Sequence, residues 1–213
     1  MTITPEQLRK VCTTLSLERA TKVCKALNEI CPQYGINTPD IMHEFIANVA
    51  HECWEFRVAE ENLNYSSARL RQVWPNRFPT DAIAAQYHRN PKLIAEKVYG
   101  GRADLGNVQK GDGWLFRGAG WIQLTGRRNH TLFLSYYNEK FSPKYTLSQM
   151  ADLLRYDYKF AAHSACWFFA IATGLIPFAV ADNMKHIVKK INGGFNGMND
   201  RVRLYELAKK YIV

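Results

Sequence analysis

Two carboxylates nine positions apart, Glu52 and Glu61, are the residues of this 213-residue chain whose types and spacing fit acid–base chemistry. Glu52 closes the run PDIMHEFIANVAHE, in which Ile41, Phe45 and Val49 repeat at helical spacing. At 100° per residue it falls within about 20° of Ile41 and Phe45, so a carboxyl group is expected on the apolar face of a helix. Burial without a cationic partner disfavours a carboxylate's charge and lets the group keep a proton toward neutral pH, as a general acid must. The competing reading is a structural ion pair with an arginine such as Arg57, and periodicity alone leaves the two open. Glu61 follows in EENLNYS, past the expected helix end. Hydrolysis of a glycosidic bond needs such a pair, one carboxyl protonating the leaving oxygen and the other activating water or attacking carbon. Glu55, about 60° from Glu52 around the helix, and Glu60 are the competitors. Both are read as solvated surface acids.

Other chemistries fit less well. His51-Glu52 opens like the zinc-protease pattern H-E-x-x-H, but residue 55 is Glu, so His51 is expected to support the site or to sit in the core. Gly118-Ala119-Gly120 begins like a dinucleotide loop, yet Gln123 stands where the third glycine belongs, and no phosphate-binding G-x-x-x-x-G-K-[ST] occurs. Five cysteines without a C-x-x-C pair speak against a disulfide framework and a cysteine zinc site. They are expected to be reduced, mostly buried thiols, and Cys53, beside Glu52, has no sequence-readable triad partners. Neither metal nor organic cofactor is expected.

The elements that must position these residues are mainly helices. Thr4-Pro5-Glu6-Gln7 reads as an N-cap, a proline at the first helical position and a capping-box glutamine, and Thr38-Pro39-Asp40 repeats the cap and proline. Further helices are expected around 81–88, 91–98, 147–155, 157–173, 183–191 and 200–211, with Gly174 and Gly193-Gly194 as stops. Between Gly100 and Gly126 lie eight of the thirteen glycines, which predicts loops and turns with a short hairpin. The apolar stretch from Ala161 to Ala181 is broken by His163, Ser164, Thr173, Gly174 and Pro177, so it reads as a buried helix and not a membrane span. The N-terminal MTITPEQLRKV lacks an apolar signal-peptide core. With 28 Lys and Arg against 19 Asp and Glu, the net charge of +9 points to a polyanionic partner.

The blocks HECWEFRVAEENLNYS, YGGRADLGN, GDGWLFRGAGWIQLTGRRNH and INGGFNGMNDRVRLY, in this order, resemble the family-19 chitinase-like glycoside hydrolases, particularly endolysins of phages that infect Gram-negative bacteria. The resemblance runs from about residue 40 to 205. It implies a general acid at Glu52 and a water-activating base at Glu61, in an inverting reaction whose carboxyls stand roughly 6.5–9.5 Å apart. It implies substrate- or water-positioning roles for Gln123, Thr125 and Asn129, and a polar network flanking the acid from Asn192 and Arg201. Tyr65, Trp114 and Trp121 either stack on sugar rings or pack the core, and Tyr65 is carried as a substrate contact. Three residues depart from the family pattern: Ala119 where Arg is usual, Trp121 where a smaller residue or proline is usual, and His130 where Tyr is usual.

The expectation is therefore a predominantly α, lysozyme-like domain over residues 1–213, two-lobed, with a short loop or β region lining a substrate groove and no separate wall-binding module. Its implied activity is hydrolysis of the β-1,4 bond between N-acetylmuramic acid and N-acetylglucosamine. The rivals are a chitinase, a lytic transglycosylase, a non-catalytic wall-binding module and a basic nucleic-acid binder. No nucleic-acid motif supports the last, and no nucleic-acid partner is expected. The partners expected are peptidoglycan strands and, through Lys185, Lys189, Lys190, Arg203, Lys209 and Lys210, the anionic outer membrane; a solvated face is the alternative for these cations. The chain is expected to be a monomer held in the host cytoplasm and released toward the wall through a holin-type pore.

Overall fold

A computed structural model describes residues 1–213. The chain is helical, 63% of its residues lying in helices, and β structure is limited to two isolated bridges, Glu60 with Ala119 and Ala119 with Leu124. The predominantly α class is thus as the sequence predicts, while the short hairpin reduces to single bridges. In chain order the helices are α1 Pro5–Val11, α2 Leu17–Ile30, α3 Pro39–Glu52, α4 Ser67–Val73, α5 Asp81–Ala85, α6 Pro91–Tyr99, α7 Asp112–Leu115, α8 Arg127–Lys140, α9 Leu147–Tyr156, α10 Tyr158–Trp167, α11 Ile176–Val180, α12 Met184–Asn192 and α13 Met198–Tyr211. Two compact units are built from them: residues 1–59, 120–123 and 153–213 form the first, and 60–119 with 124–152 the second.

In the first unit α3 is the central rod. Thr38 ends the extended segment before it, and Pro39 at its first position has no N–H to leave unsatisfied. Every residue from Ile41 to Ala50 is buried, because α13 and α11 pack along α3 and cover the sides that the periodicity would leave to solvent. Consequently Glu44 and Asn48 are interior residues and need partners there. α1 carries the predicted capping box, with Gln7 N donating to Thr4 Oγ1 at 3.2 Å and Thr4 N to Gln7 Oε1 at 2.9 Å, and packs on α2 and α13. The apolar stretch after Asp157 is α10, buried from Phe160 to Trp167, followed by a π turn over Phe168–Ala172 and then α11. No helix is long and apolar enough to cross a membrane. All five cysteines lie in this unit, buried and unbridged, with Cys31 and Cys166 sulfurs 3.6 Å apart.

The second unit closes over a smaller core of Leu63, Leu70, Phe78, Ala84, Ile94, Ala95 and Val98, ringed by half-buried Tyr65, Trp74, Tyr87, Tyr99 and Trp114. The glycine-dense stretch lets backbone approach backbone here. At Gly113 in α7 a Cβ would lie 2.7 Å from the Ala95 carbonyl oxygen of α6, a separation that only glycine permits. Asp112 is buried and accepts from Arg127 at 2.6 and 2.9 Å; burial pushes its carboxyl up, but Arg127 and the Gln109 N–H outweigh that and hold it below the usual range.

Candidate active site

Glu52 is the last residue of α3, and its side chain is one-quarter exposed, less buried than the apolar-face periodicity suggests. Of the two readings that periodicity leaves open, the structure has the ion pair, with Arg201 and not Arg57 as the partner. Arg201 of α13, itself 1% exposed, donates from Nη2 to Glu52 Oε1, while Arg57, the partner considered from sequence, uses its backbone carbonyl to accept from Arg19 at 2.6 Å. Arg201 is fixed from behind by Asn48, whose Oδ1 accepts from Nη1 at 3.0 Å. A fully buried guanidinium with two directional ties can move little, so the carboxylate it holds is preorganised. Asn48 is a functional residue that the sequence reading missed; its signal is the i, i+4 spacing to Glu52 on one helix.

Around this pair the backbone is unusual. Trp54, Glu55 and Phe56, directly after α3, all have φ between 51° and 60°, the left-handed region that non-glycine residues seldom adopt. The turn is held by Phe56, buried edge-on against Trp121 at 4.9 Å, and by Glu55, which accepts from Thr14 N at 2.9 Å, Thr14 Oγ1 at 2.7 Å and Arg203. Glu55 is therefore a structural anchor and not the solvated acid expected, and Trp54 is left 73% exposed. His51 takes the supporting position: its Nδ1 meets Asp200 Oδ2 at 2.7 Å, and its ring lies against Gly197. Burial pushes Asp200 up, but His51 and Arg203 hold its carboxyl below the usual range. Burial also pushes the Cys53 thiol well up, which removes it as a nucleophile at neutral pH.

In the second unit Glu61 is half-buried, with a donor on each oxygen: Tyr99 Oη gives a hydrogen bond to Oε1 at 2.6 Å, and Gly118 N to Oε2 at 3.2 Å. Glu61 N in turn donates to Gly118 O at 3.0 Å. Tyr99 is the second residue the sequence reading missed, since nothing local ties an aromatic on α6 to a glutamate 38 positions away. Burial, with the Glu61 charge behind it, pushes the Tyr99 hydroxyl well up, so it remains a donor. Glu60, expected to be solvated, is paired with Arg117, whose Nε donates at 3.0 Å and whose guanidinium stacks 3.6 Å over Trp114. Glu60, Glu61, Asn62, Leu63, Pro91 and Trp114 line a surface pocket of about 310 Å³, within the range of small-ligand sites. Glu55 and Glu60 are thus both tied to arginines, as Glu52 is; Glu60, 37% exposed, is more open than Glu52, so Glu52 and Glu61 stay the candidate acids on the resemblance of their sequence blocks and not on exposure.

The supporting residues divide. Arg201 is in contact with Glu52. Asn192 is exposed at the C-terminus of α12, with Gly193 at φ +71 closing the helix, and donates to Asn196 O at 3.1 Å, so it shapes the INGGFNG loop. Gln123, itself at φ +51, donates from Nε2 to Gly120 O at 2.9 Å within its turn. Asn129 donates to Thr125 O at 2.9 Å across the first turn of α8. Tyr65 packs edge-on against Trp74 at 5.2 Å. Trp121 is 2% exposed and belongs to the core, whereas Trp114 is half-buried at the pocket. Ala119, Trp121 and His130, the three departures, are all buried, so packing absorbs them.

No family model matches the chain. Over 161 residues it is 33% identical to a protein of Haemophilus influenzae (strain ATCC 51907 / DSM 11121 / KW20 / Rd) named glycosyl hydrolase family 19 domain-containing protein, a match covering 76% of this chain and 74% of the relative. The order of its sequence blocks, its helical fold and this shared identity place the chain in glycosyl hydrolase family 19, a chitinase-like family of glycoside hydrolases.

Proposed function

We propose that the protein is an endolysin-type muramidase that cleaves the β-1,4 bond between N-acetylmuramic acid and N-acetylglucosamine in peptidoglycan by an inverting two-carboxylate mechanism. What supports this reading is that each of the two glutamates is held by donors of its own: Glu52 by Arg201, and Glu61 by Tyr99 and the Gly118 N–H. Glu52 gives its proton to the glycosidic oxygen as the C1–O bond breaks. Glu61 takes a proton from the water whose oxygen bonds to C1, and the configuration inverts. Negative charge develops on Glu52 as the proton leaves, and the guanidinium of Arg201 already faces it, so stabilisation grows along the reaction coordinate without reorganisation. Gln123, Thr125, Asn129, Asn192 and Tyr65 are proposed to contact or position substrate.

Charge supports murein over chitin. Murein bears stem-peptide carboxylates and chitin is neutral, so a chain of net charge +9 gains encounter rate only on the former. Lys185, Lys189 and Lys190 are exposed on α12 and fit contact with the anionic outer membrane; Arg203 does not join them, being tied to Asp200 and Glu55. In this reading the protein works as a monomer at the wall, reached from the host cytoplasm through a holin-type pore. The test is digestion of purified Gram-negative murein and of chitin, with product analysis. Glu52→Gln is expected to abolish muralytic activity and leave the fold intact, since proton donation is worth roughly 10²–10⁴-fold. Near-normal turnover by Glu52→Gln and Glu61→Gln overturns the assignment, faster turnover of chitin makes the protein a chitinase, and an anhydro-sugar end makes it a transglycosylase.

A further inference from the structure

α3 carries Glu44, Asn48 and Glu52 four residues apart, so the three side chains follow one another along one face. Glu44 and Asn48 are fully buried, and Arg201 nearly so. The hydrogen bonds run without a gap. Asn48 Nδ2 donates to the Glu44 backbone oxygen at 2.9 Å and to Glu44 Oε2 at 3.3 Å; Asn48 Oδ1 accepts from Arg201 Nη1 at 3.0 Å; and Arg201 Nη2 reaches Glu52. Two buried atoms of this hydrogen-bonded network have no partner, the acceptor Glu44 Oε1 and the donor Arg201 Nε. A buried polar network with an unused acceptor at one end and an unused donor in the middle has an alternative arrangement available to it.

We infer that Glu44 is a positioning residue for the reaction: through Asn48 it sets how firmly Arg201 holds Glu52. This rests on the reading of Glu52 as the acid. When Glu44 carries a proton, Glu52 is the one side-chain carboxyl of this network that draws on Arg201 as it gives up its own proton. When Glu44 is ionised, a second carboxylate stands one turn beyond Asn48, and the attraction on the guanidinium is divided. The groups facing Glu44 decide when that happens. Asp182, before α12, opposes its charge and is itself bonded to Tyr205 Oη at 2.6 Å; Lys209 of α13 favours the charge; Met184 of α12 adds only its sulfur, 3.6 Å from Asn48 Nδ2. Burial first, then Asp182, pushes Glu44 up to about 8, against Asn48 and Lys209.

The experiment is a pH profile of murein hydrolysis by the full-length protein, alongside NMR of the Arg201 Nε–H. In the wild type kcat is expected to fall on the alkaline side with a midpoint near pH 8, and the Arg201 signal to titrate with it. Glu44→Gln, which keeps the shape and cannot ionise, is expected to hold neutral-pH kcat within about twofold, to move the alkaline limb up by a pH unit or more, and to abolish the NMR titration. Glu44→Ala, which removes the contact to Asn48, is expected to lower kcat at every pH, with glutamine rescuing it. An alkaline limb unchanged in Glu44→Gln, or an Arg201 signal that does not titrate in the wild type, overturns the inference; the second result needs no folded variant. A wild type inactive on murein and chitin alike overturns the functional reading instead, and the NMR titration still reports whether Glu44 acts on Arg201.

Discussion

The two candidate acids are held by different means, and the difference predicts how each fails. Glu61 is held by neutral donors, a phenol and a backbone amide. Tyr99→Phe removes one hydrogen bond to a charged group, worth about 1.5–3 kcal/mol, so kcat on murein is expected to fall roughly tenfold or more while KM changes little. A changed KM with unaltered kcat would place Tyr99 in substrate binding. Glu52 depends on a buried cation, so Arg201→Met leaves Asn48 Oδ1 without its donor as well, and it should cost stability along with activity. How far the sequence discloses these partnerships depends on chain separation. Glu52, Glu61 and Arg201 stand in recognisable blocks, and Asn48 has helical spacing to Glu52. The pairing of Glu52 with Arg201, 149 positions apart, is a tertiary event, and a local search favours Arg57.

Among the elements, α1 and α3 were legible from a threonine followed by a proline; Thr4 makes the cap hydrogen bond, whereas Thr38 makes none and Pro39 carries the signal alone. α2 and α8 were not. α2 starts on Ser16 with Arg19, not Glu or Gln, at its third position, and α8 starts on Gly126 at φ +89 with no side-chain cap, inside a stretch whose glycine density predicts loop. The amphipathic reading of α3 also fell short, because a helix covered on several sides by other helices has no solvent face to display. The left-handed turn after α3 gives a prediction at this scale. A non-glycine residue in that region costs about 1–2 kcal/mol, part of which glycine returns as entropy of the unfolded chain. Trp54→Gly, at an exposed position, is therefore expected to raise stability by up to about 1 kcal/mol in urea denaturation; a loss would mean that the indole has contacts of its own. Gly197→Ala should do the reverse. Its φ is +75° and a Cβ would lie 2.2 Å from His51 Nε2, so a loss of about 2 kcal/mol or more is expected, together with displacement of His51 from Asp200.

At the scale of the whole molecule, the fold class was legible from periodicity, whereas the buried ionisable groups that set its pH response were not. Burial holds His163, bonded to Tyr34 Oη at 2.9 Å, down to about 4. Unfolded histidine takes its proton near 6.5, so this contribution is lost as pH falls from about 6.5 toward 4. Glu44 has the opposite sign: it keeps its proton in the fold up to about 8 and loses it near 4.3 when unfolded, so its contribution declines as pH rises through that span. The two slopes cancel between about pH 4.3 and 6.5, so stability is expected to be greatest and flat there and to fall as pH rises from about 6.5 to 8, to be checked by urea denaturation across pH, with Glu44→Gln flattening the alkaline side. The net charge of +9 should also make murein hydrolysis, more than that of chitin oligomers, fall as sodium chloride is raised from about 0.05 to 0.5 M. The location of Cys12, Cys24, Cys31, Cys53 and Cys166, all interior to the first unit and absent from the second, supplies a clock. A thiol-exchange reagent added to the native protein reacts only as fast as that unit opens, while hydrogen exchange of the α6 amides reports on the other. Coincident rates would mean that the enzyme comes apart as one cooperative body, and a lag between them that it opens in stages.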